Sequence, residues 1–302
     1  MMKFVYLILL KQKFMNNLKY FGQSIIIIFL FFIFKIIGRK FSILISAKLF
    51  SLVGPFFRSN KLSHSNLSKA LPNFDYDYRK KILKEMWNNY GKIFAEYMFI
   101  KDYRKSKKLY ENVIVENQEV LTKIKNSFKP VIFISGHFNN FELMAMHIEK
   151  SGVDLAAIYR PLNNPFLNPL MEKIRSKYIC NKQIKKGMSG TKEILRYFKK
   201  GTSIALMIDQ RVSEGIKCDF FGKEALTTTI PAQFIKKFNA EVVPINIERS
   251  IDDNFKIRIF DNIQFSENDS IEKITLELNR ILEKMIIANP KQWIWTHNRW
   301  KL

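Results

Sequence analysis

Between Val131 and Glu248 the chain repeats one pattern: a short β-prone apolar run, a few turn residues, then an amphipathic helical stretch. Val131–Ser135 (VIFIS), Asp154–Tyr159 (DLAAIY), Ser203–Ile208 (SIALMI) and Glu241–Glu248 read as strands. Their near-continuous apolar character marks strands covered on both faces. The stretches opening at Phe141, Phe166–Tyr178 and Ser189–Lys199 read as the helices between them. Such alternation points to an α/β fold, with a central, mostly parallel sheet and helices on both faces. Phe255–Phe260, Ile271–Ile287 and Trp293-Ile294-Trp295 extend it as strand, helix and short strand, and Leu62–Leu71 and Asp77–Lys101 precede it as helices. There is no Gly-rich phosphate loop, which disfavours a nucleotide enzyme.

Open α/β sheets place their ligands at the carboxyl ends of strands, so polar residues there are the candidates for a site. Gly136 closes the first run and His137 follows at once, with Glu142 five residues on. That spacing does not stack on one helical face. The two meet only if His137 lies in the turn and Glu142 in the first turns of the helix. The carboxylate would then orient the imidazole through one nitrogen, leaving the other as a general base. Two more strand ends deliver Arg160, which can grip phosphate or carboxylate bidentately, and Asp209. Lys173 and Arg175, on the following helix, can face the same crevice. Each has a plainer alternative: a satisfied histidine at a strand end, a surface arginine before Pro161, a solvated helix face, an acid capping a loop.

The charge narrows the partners. Fifty Lys+Arg against 27 Asp+Glu leave +23, which calls for nucleic acid, an anionic membrane or an acidic protein. The imbalance is heaviest at the N-terminus, where no acid precedes Asp75 and Lys3, Lys11, Lys13, Lys19, Lys35, Arg39 and Lys40 surround the apolar run Ile25–Phe34. Lysines beside an apolar segment gain from anionic headgroups, so residues 1–57 are expected to be a membrane anchor, and 58–302 the catalytic domain. A single tilted span and an in-plane amphipathic helix both fit the anchor. Deleting it should release the protein from vesicles and leave the α/β domain folded. Cys180 and Cys218 form no metal-ligand spacing and no disulfide framework, which fits a reducing compartment.

The order GHFNNFE, YRPLNNPFL with IRSK, MIDQ, FFG, TTTIPA and a closing WIWTHNRWK resembles the lipid A biosynthesis acyltransferases, the lauroyl/myristoyl transferases that add secondary acyl chains. The likeness extends to Leu62–Leu71 and the segment around Trp87-Asn88-Asn89-Tyr90-Gly91, and so covers nearly the whole chain. It implies the His-x4-acid acyltransferase signature on His137 and Glu142, with His137 the base and Glu142 its partner. Asn140, Arg160, Arg175 and Asp209 match polar positions of the family's blocks and would bind substrate. Lys173 stands where a second arginine is expected, and lysine does not replace a bidentate fork. The resemblance further implies an acyl chain passed from acyl carrier protein to a hydroxyl of a lipid A precursor, at the cytoplasmic face of the inner membrane. Its partners would be the carrier, anionic lipid and a glycolipid acceptor, not nucleic acid, and no metal or other cofactor is called for. Oxyanion donors would come from backbone amides after Gly136 or from a nearby side chain. A different glycolipid or lysophospholipid acceptor, or a non-enzymatic basic membrane protein, stays open on the residues alone.

Overall fold

A computed structural model describes residues 2–57, 60–107 and 111–302. Seven strands form one sheet in the order β1-β9-β8-β2-β5-β3-β4: β1 Val113–Glu116, β2 Ile132–Ser135, β3 Leu155–Tyr159, β4 Lys182–Lys185, β5 Ser203–Met207, β8 Val242–Arg249 and β9 Phe255–Ile259. β8, β2, β5, β3 and β4 run parallel, and β9 turns back antiparallel on β8. The expected α/β class with a mostly parallel sheet and surrounding helices is the fold observed. β6 Ile216–Phe220 and β7 Lys223–Thr227 make a separate hairpin. Ile132, Phe133 and Ile134 are all at most 2% exposed, as a central strand covered on both faces requires.

The helix Tyr76–Glu96 begins at Asp75, whose side chain accepts from the Tyr78 amide at 2.7 Å, and Ser270 caps Ile271–Ala288 in the same way. The expected last strand at Trp293 is only a single bridge to Phe138. The helical run expected over Phe166–Tyr178 is divided: Asn168–Ile174 is α-helical and Arg175–Ile179 winds as a π-helix.

The N-terminal run Met2–Phe57 is helical but broken at Gly38 (φ 78°, ψ 166°). Within it, Lys11–Phe56 is long and apolar enough to cross a membrane. It also packs against the rest of the chain on both sides of the break. Before the break, Phe31 and Phe34 pack with Phe94 and Ala95 at the end of Tyr76–Glu96. After it, Ser42 and Ser46 are fully buried, and the Ser46 carbonyl lies 2.2 Å from where a Cβ on Gly91 would stand. Only glycine admits an approach that close. The expected boundary falls at residues 58 and 59, outside those described, but both halves of the N-terminal run share surface with the rest of the chain.

Candidate active site

The pairing of β2 with β5 sets Ser135 opposite Met207. Two residues further along each strand, at the carboxyl edge of the sheet, stand His137 and Asp209. The parallel register therefore brings this histidine to an aspartate 72 residues away. Asp209 Oδ1 accepts from His137 Nδ1 at 2.8 Å, while Oδ2 accepts from the His137 backbone amide at 2.7 Å and from Trp293 Nε1 at 2.9 Å. The Asp209 side chain is fully buried. Burial alone would raise its carboxyl, but the His137 charge and these hydrogen bonds prevail and hold it below the usual carboxylate range. An ionised carboxylate only accepts, so His137 carries its proton on Nδ1. Nε2 is left for proton transfer, with the Gln210 amide nitrogen 3.5 Å away.

Gly136 is needed at this junction. A Cβ there would lie 2.9 Å from the Phe138 ring and 3.3 Å from Asp209 Oδ2. Asn139, at φ 38°, turns the chain and fastens it on both sides. Its side chain donates to Gln292 at 2.6 Å and accepts from the Asn140 amide at 2.7 Å. Asn140 is fully buried beneath the turn and donates to Glu96, which Arg249 grips through both terminal nitrogens at 2.7 and 2.9 Å. A buried ion pair joined by two hydrogen bonds fixes position well, whatever its net contribution to stability. Asn140 therefore sits under the turn and does not line the cleft of the site.

Glu142 opens the helix Glu142–Lys150, but it does not orient the imidazole as the spacing implied. Its carboxylate accepts from Arg175 Nε at 2.8 Å, pairs with Arg175 Nη2 at 2.8 Å, and takes a short hydrogen bond from the Tyr97 hydroxyl. Burial would depress the Arg175 guanidinium, but Glu142 and Tyr97 overcome it and raise it. The Tyr97 phenol is itself pushed well above its ordinary range, first by burial and then by the Glu142 charge, so it stays a donor. Arg175 Nη1 is buried and has no hydrogen-bond partner.

A cleft of about 320 Å³ opens over these groups. His137, Phe141, Glu142, Arg160, Arg175 and Gln210 line it, with Lys186, Thr228 and His297 further round. Arg160 is exposed at the wall, where it donates to Asn163 at 3.4 Å. Burial drives His297 down to about 4, and its neutral Nε2 accepts from the Arg211 amide at 2.9 Å. Lys173 is exposed on its helix and does not line the cleft. Asp209, expected to meet substrate, is sealed behind His137. The backbone amides of 137–140 each already donate, to Asp209, Gly136, Gln292 and Asn139, so none is free to serve as an oxyanion donor. A histidine held this way can take a proton from a hydroxyl in the cleft, and Arg175 brings a fixed positive charge beside it.

A family model of the bacterial lipid A biosynthesis acyltransferases matches residues 10–302. The chain belongs to this family. It is 23% identical over 259 residues to the lipid A biosynthesis palmitoleoyltransferase of Escherichia coli K12, covering 83% of this chain and 82% of that one. The lauroyltransferase of the same organism is 24% identical over 257 residues, with 81% and 79% covered. A lipid A biosynthesis acyltransferase of Haemophilus influenzae is 25% identical over 253 residues, with 81% and 78% covered. This lipid A acyltransferase thus performs acyl transfer in lipid A biosynthesis, and the likeness drawn from the motifs stands.

Four groups of the acyltransferase escaped sequence reasoning. Glu96 and Tyr97 fall within the expected helix Asp77–Lys101 and Arg249 in a distant strand, with no motif around any of them. Trp293 belongs to the closing WIWTHNRWK block, but nothing in that block announces its hydrogen bond to Asp209.

Proposed function

We propose that the protein moves a fatty acyl chain from acyl carrier protein to a hydroxyl of a lipid A precursor, with His137 as general base. The observation that carries this reading is the His137–Asp209 pair opening on a cleft whose other wall is the Glu142–Arg175 pair. The acceptor hydroxyl gives its proton to His137 Nε2 as its oxygen attacks the thioester carbonyl. Asp209 stabilises the resulting imidazolium, as the acid does in a Ser-His-Asp triad, but here the substrate supplies the nucleophile. Arg175, fixed by Glu142 and Tyr97, faces the negative charge that develops on the carbonyl oxygen. The tetrahedral intermediate collapses by breaking the carbon–sulfur bond, and the departing thiolate takes the proton back from His137. Arg160 and Lys186, on the cleft wall and in no ion pair with an acid among the described residues, suit an anionic group of either substrate.

The attachment goes with the chemistry. Residues 1–57 hold the enzyme at the cytoplasmic face of the inner membrane, where a carrier-bound donor and a lipid acceptor meet. Purified full-length protein should transfer an acyl chain from its carrier thioester to a lipid A precursor, and His137→Ala should cut turnover by at least about 10²-fold. The carrier is acidic, so kcat/KM for it should fall steeply as ionic strength passes about 0.1 M, and a coenzyme A donor should show less dependence. Equal use of both donors with matching salt profiles would remove the carrier from the reaction. Near-normal turnover by folded His137→Ala would remove the base.

A further inference from the structure

The N-terminal helix can be long and apolar enough to cross a bilayer and still not do so. What decides is where the rest of the molecule touches it. Asn164, in the loop after β3, donates to the Tyr20 carbonyl at 2.9 Å and accepts from Ser24 Oγ at 3.0 Å. Phe166 in the same loop packs edge-on against Phe21 at 5.5 Å. Fourteen residues on, Phe34 is 2% exposed against Phe94, and beyond it Lys35 faces Asp102 at 3.8 Å and Arg39 donates to Tyr103 at 2.9 Å. The catalytic domain thus lies alongside the apolar segment from Tyr20 to Arg39. Along it Ser24, Phe31 and Phe34 face the domain, while Ile25, Ile28, Phe29 and Phe32 on the other side are more than half exposed.

A bilayer-crossing helix runs about 30 Å through hydrocarbon, and whatever packs on it over that length must lie in hydrocarbon too. The segment Tyr20–Phe34 cannot meet that condition with a charged, folded domain against one side. Residues 2–19 would reach about 27 Å as helix, but they carry Lys3, Lys11, Lys13 and Lys19, two of them at the middle. Neither part supplies a span. The loop that grips Tyr20 and Ser24 also exposes Leu162 and Phe166, and the first turn of the helix after it exposes Leu170. The loop starts at Arg160 on the cleft wall, and Tyr97, which donates to Glu142, packs on the Phe31–Phe34 cluster.

We infer that the acyltransferase is a monotopic protein: the outer face of Tyr20–Ile36 enters one leaflet together with the loop after β3 and the first turn of the helix Asn168–Ile174, and the cleft opens at that lipid surface. The occupant of this apolar face is an anionic bilayer. The N-terminal lysines, with no acid before Asp75, complement its headgroups, and the apolar stripe would settle about 5–10 Å into the headgroup–acyl boundary. A lipid acceptor would then reach His137 by sliding sideways, without leaving the membrane. This inference rests on the membrane attachment proposed above and adds its geometry.

The test uses the full chain in sealed phosphatidylethanolamine/phosphatidylglycerol vesicles, after replacing the buried Cys180 and Cys218 by alanine. Single cysteines are placed by Lys13→Cys and by Lys223→Cys, the latter on the β7 hairpin, and treated with a membrane-impermeant maleimide. In-plane insertion predicts labelling of both from the same side of the vesicle. A fluorophore on Phe29→Cys or on Phe166→Cys should lose emission to lipids that carry a quencher near the headgroup, and lose less to a quencher at the chain end. Labelling of Lys13→Cys only from the side opposite Lys223→Cys would establish a span and overturn the inference, while leaving attachment intact. Same-side labelling with no quenching at Phe166→Cys would also overturn it, since the loop would then be in water. Failure of the intact chain to sediment with vesicles would overturn the attachment itself.

Discussion

Asp209 and Glu142 are both buried carboxylates of one site, and they are held in opposite ways. Asp209 accepts three hydrogen bonds from His137 and Trp293, and its ion pair is with the histidine. Glu142 is bound by a guanidinium and a phenol. The first arrangement governs which nitrogen of His137 holds the proton. The second governs where the Arg175 charge stands. An acid in the His-x4-acid spacing is thus not by that spacing the partner of the histidine. A short sequence distance lets Glu142 share the helix entry with the turn, but the sheet register decides what lies beside the ring.

The sharpest test of the difference is Asp209→Asn. The amide cannot accept at both Oδ positions, so the imidazole loses its fixed tautomer and the support for its charged form. Turnover should fall by about 10²–10⁴-fold with little change in KM, which single-turnover kinetics with folded protein would read. If Asp209→Asn leaves turnover within a few-fold of normal while Glu142→Gln abolishes it, the assignment of partners is reversed.

A smaller effect is expected at the second carboxylate. Glu142→Gln removes the counter-charge of a buried guanidinium, and Arg175→Lys removes the fork while keeping the charge. Both should lower kcat by about 10–10³-fold. Because the two residues act as one unit, the double variant should lose little more than the worse single one. Fully additive losses would mean that Glu142 and Arg175 serve separate purposes.

The local pattern carried much of this. The buried strand Ile132–Ser135, the helix beginning at Glu142, and the delivery of His137, Arg160 and Asp209 at three strand ends follow from apolar runs and turn residues that neighbour each other in the chain. What pairs with what did not follow, because the order of strands in a parallel sheet is set by packing of whole layers and leaves no mark on periodicity. β2 and β5 are neighbours in space with β3 and β4 between them in sequence. β4 itself (KQIK) is a polar edge strand with one buried residue, Ile184, and offers no apolar run to read. Lys173 and Arg175 stand two residues apart on the expected helix, but the helix widens into a π-turn at Arg175, and of the two Arg175 lines the cleft.

The comparison also predicts how the fold responds to acid. The His147 imidazole, buried against Gln118 at 2.6 Å, is driven down to about 4 by burial and by Lys150. Its native value lies below the ordinary 6.5, so the stability it contributes is complete above pH 6.5 and is lost as pH falls towards about 4. Asp209 is also depressed, so its contribution is complete above the usual aspartate value near 3.9 and disappears only below that. Thermal melts from pH 7 to 3 should therefore show two windows of loss. His147→Gln should flatten the upper one and Asp209→Asn the lower. A single window unchanged by either substitution would contradict both burials.

The smallest effect is expected at Tyr97, and it separates the two carboxylates most cleanly. Its hydroxyl donates to Glu142 and stands 3.3 Å from Arg175 Nη2, while no bond links it to Asp209 or His137. Tyr97→Phe keeps the ring that packs on Phe31 and Phe34, and removes one donor from a carboxylate that keeps Arg175. A hydrogen bond to a charged group contributes about 1.5–3 kcal/mol net, and because this carboxylate keeps Arg175 the lower end applies, so kcat should drop roughly 10-fold. The loss should vanish in a Glu142→Gln background, where the partner charge is already gone, and persist in full alongside Asp209→Asn. Persistence in the Glu142→Gln background would place the Tyr97 hydroxyl in contact with substrate and dissolve its role as a support for the Glu142–Arg175 pair.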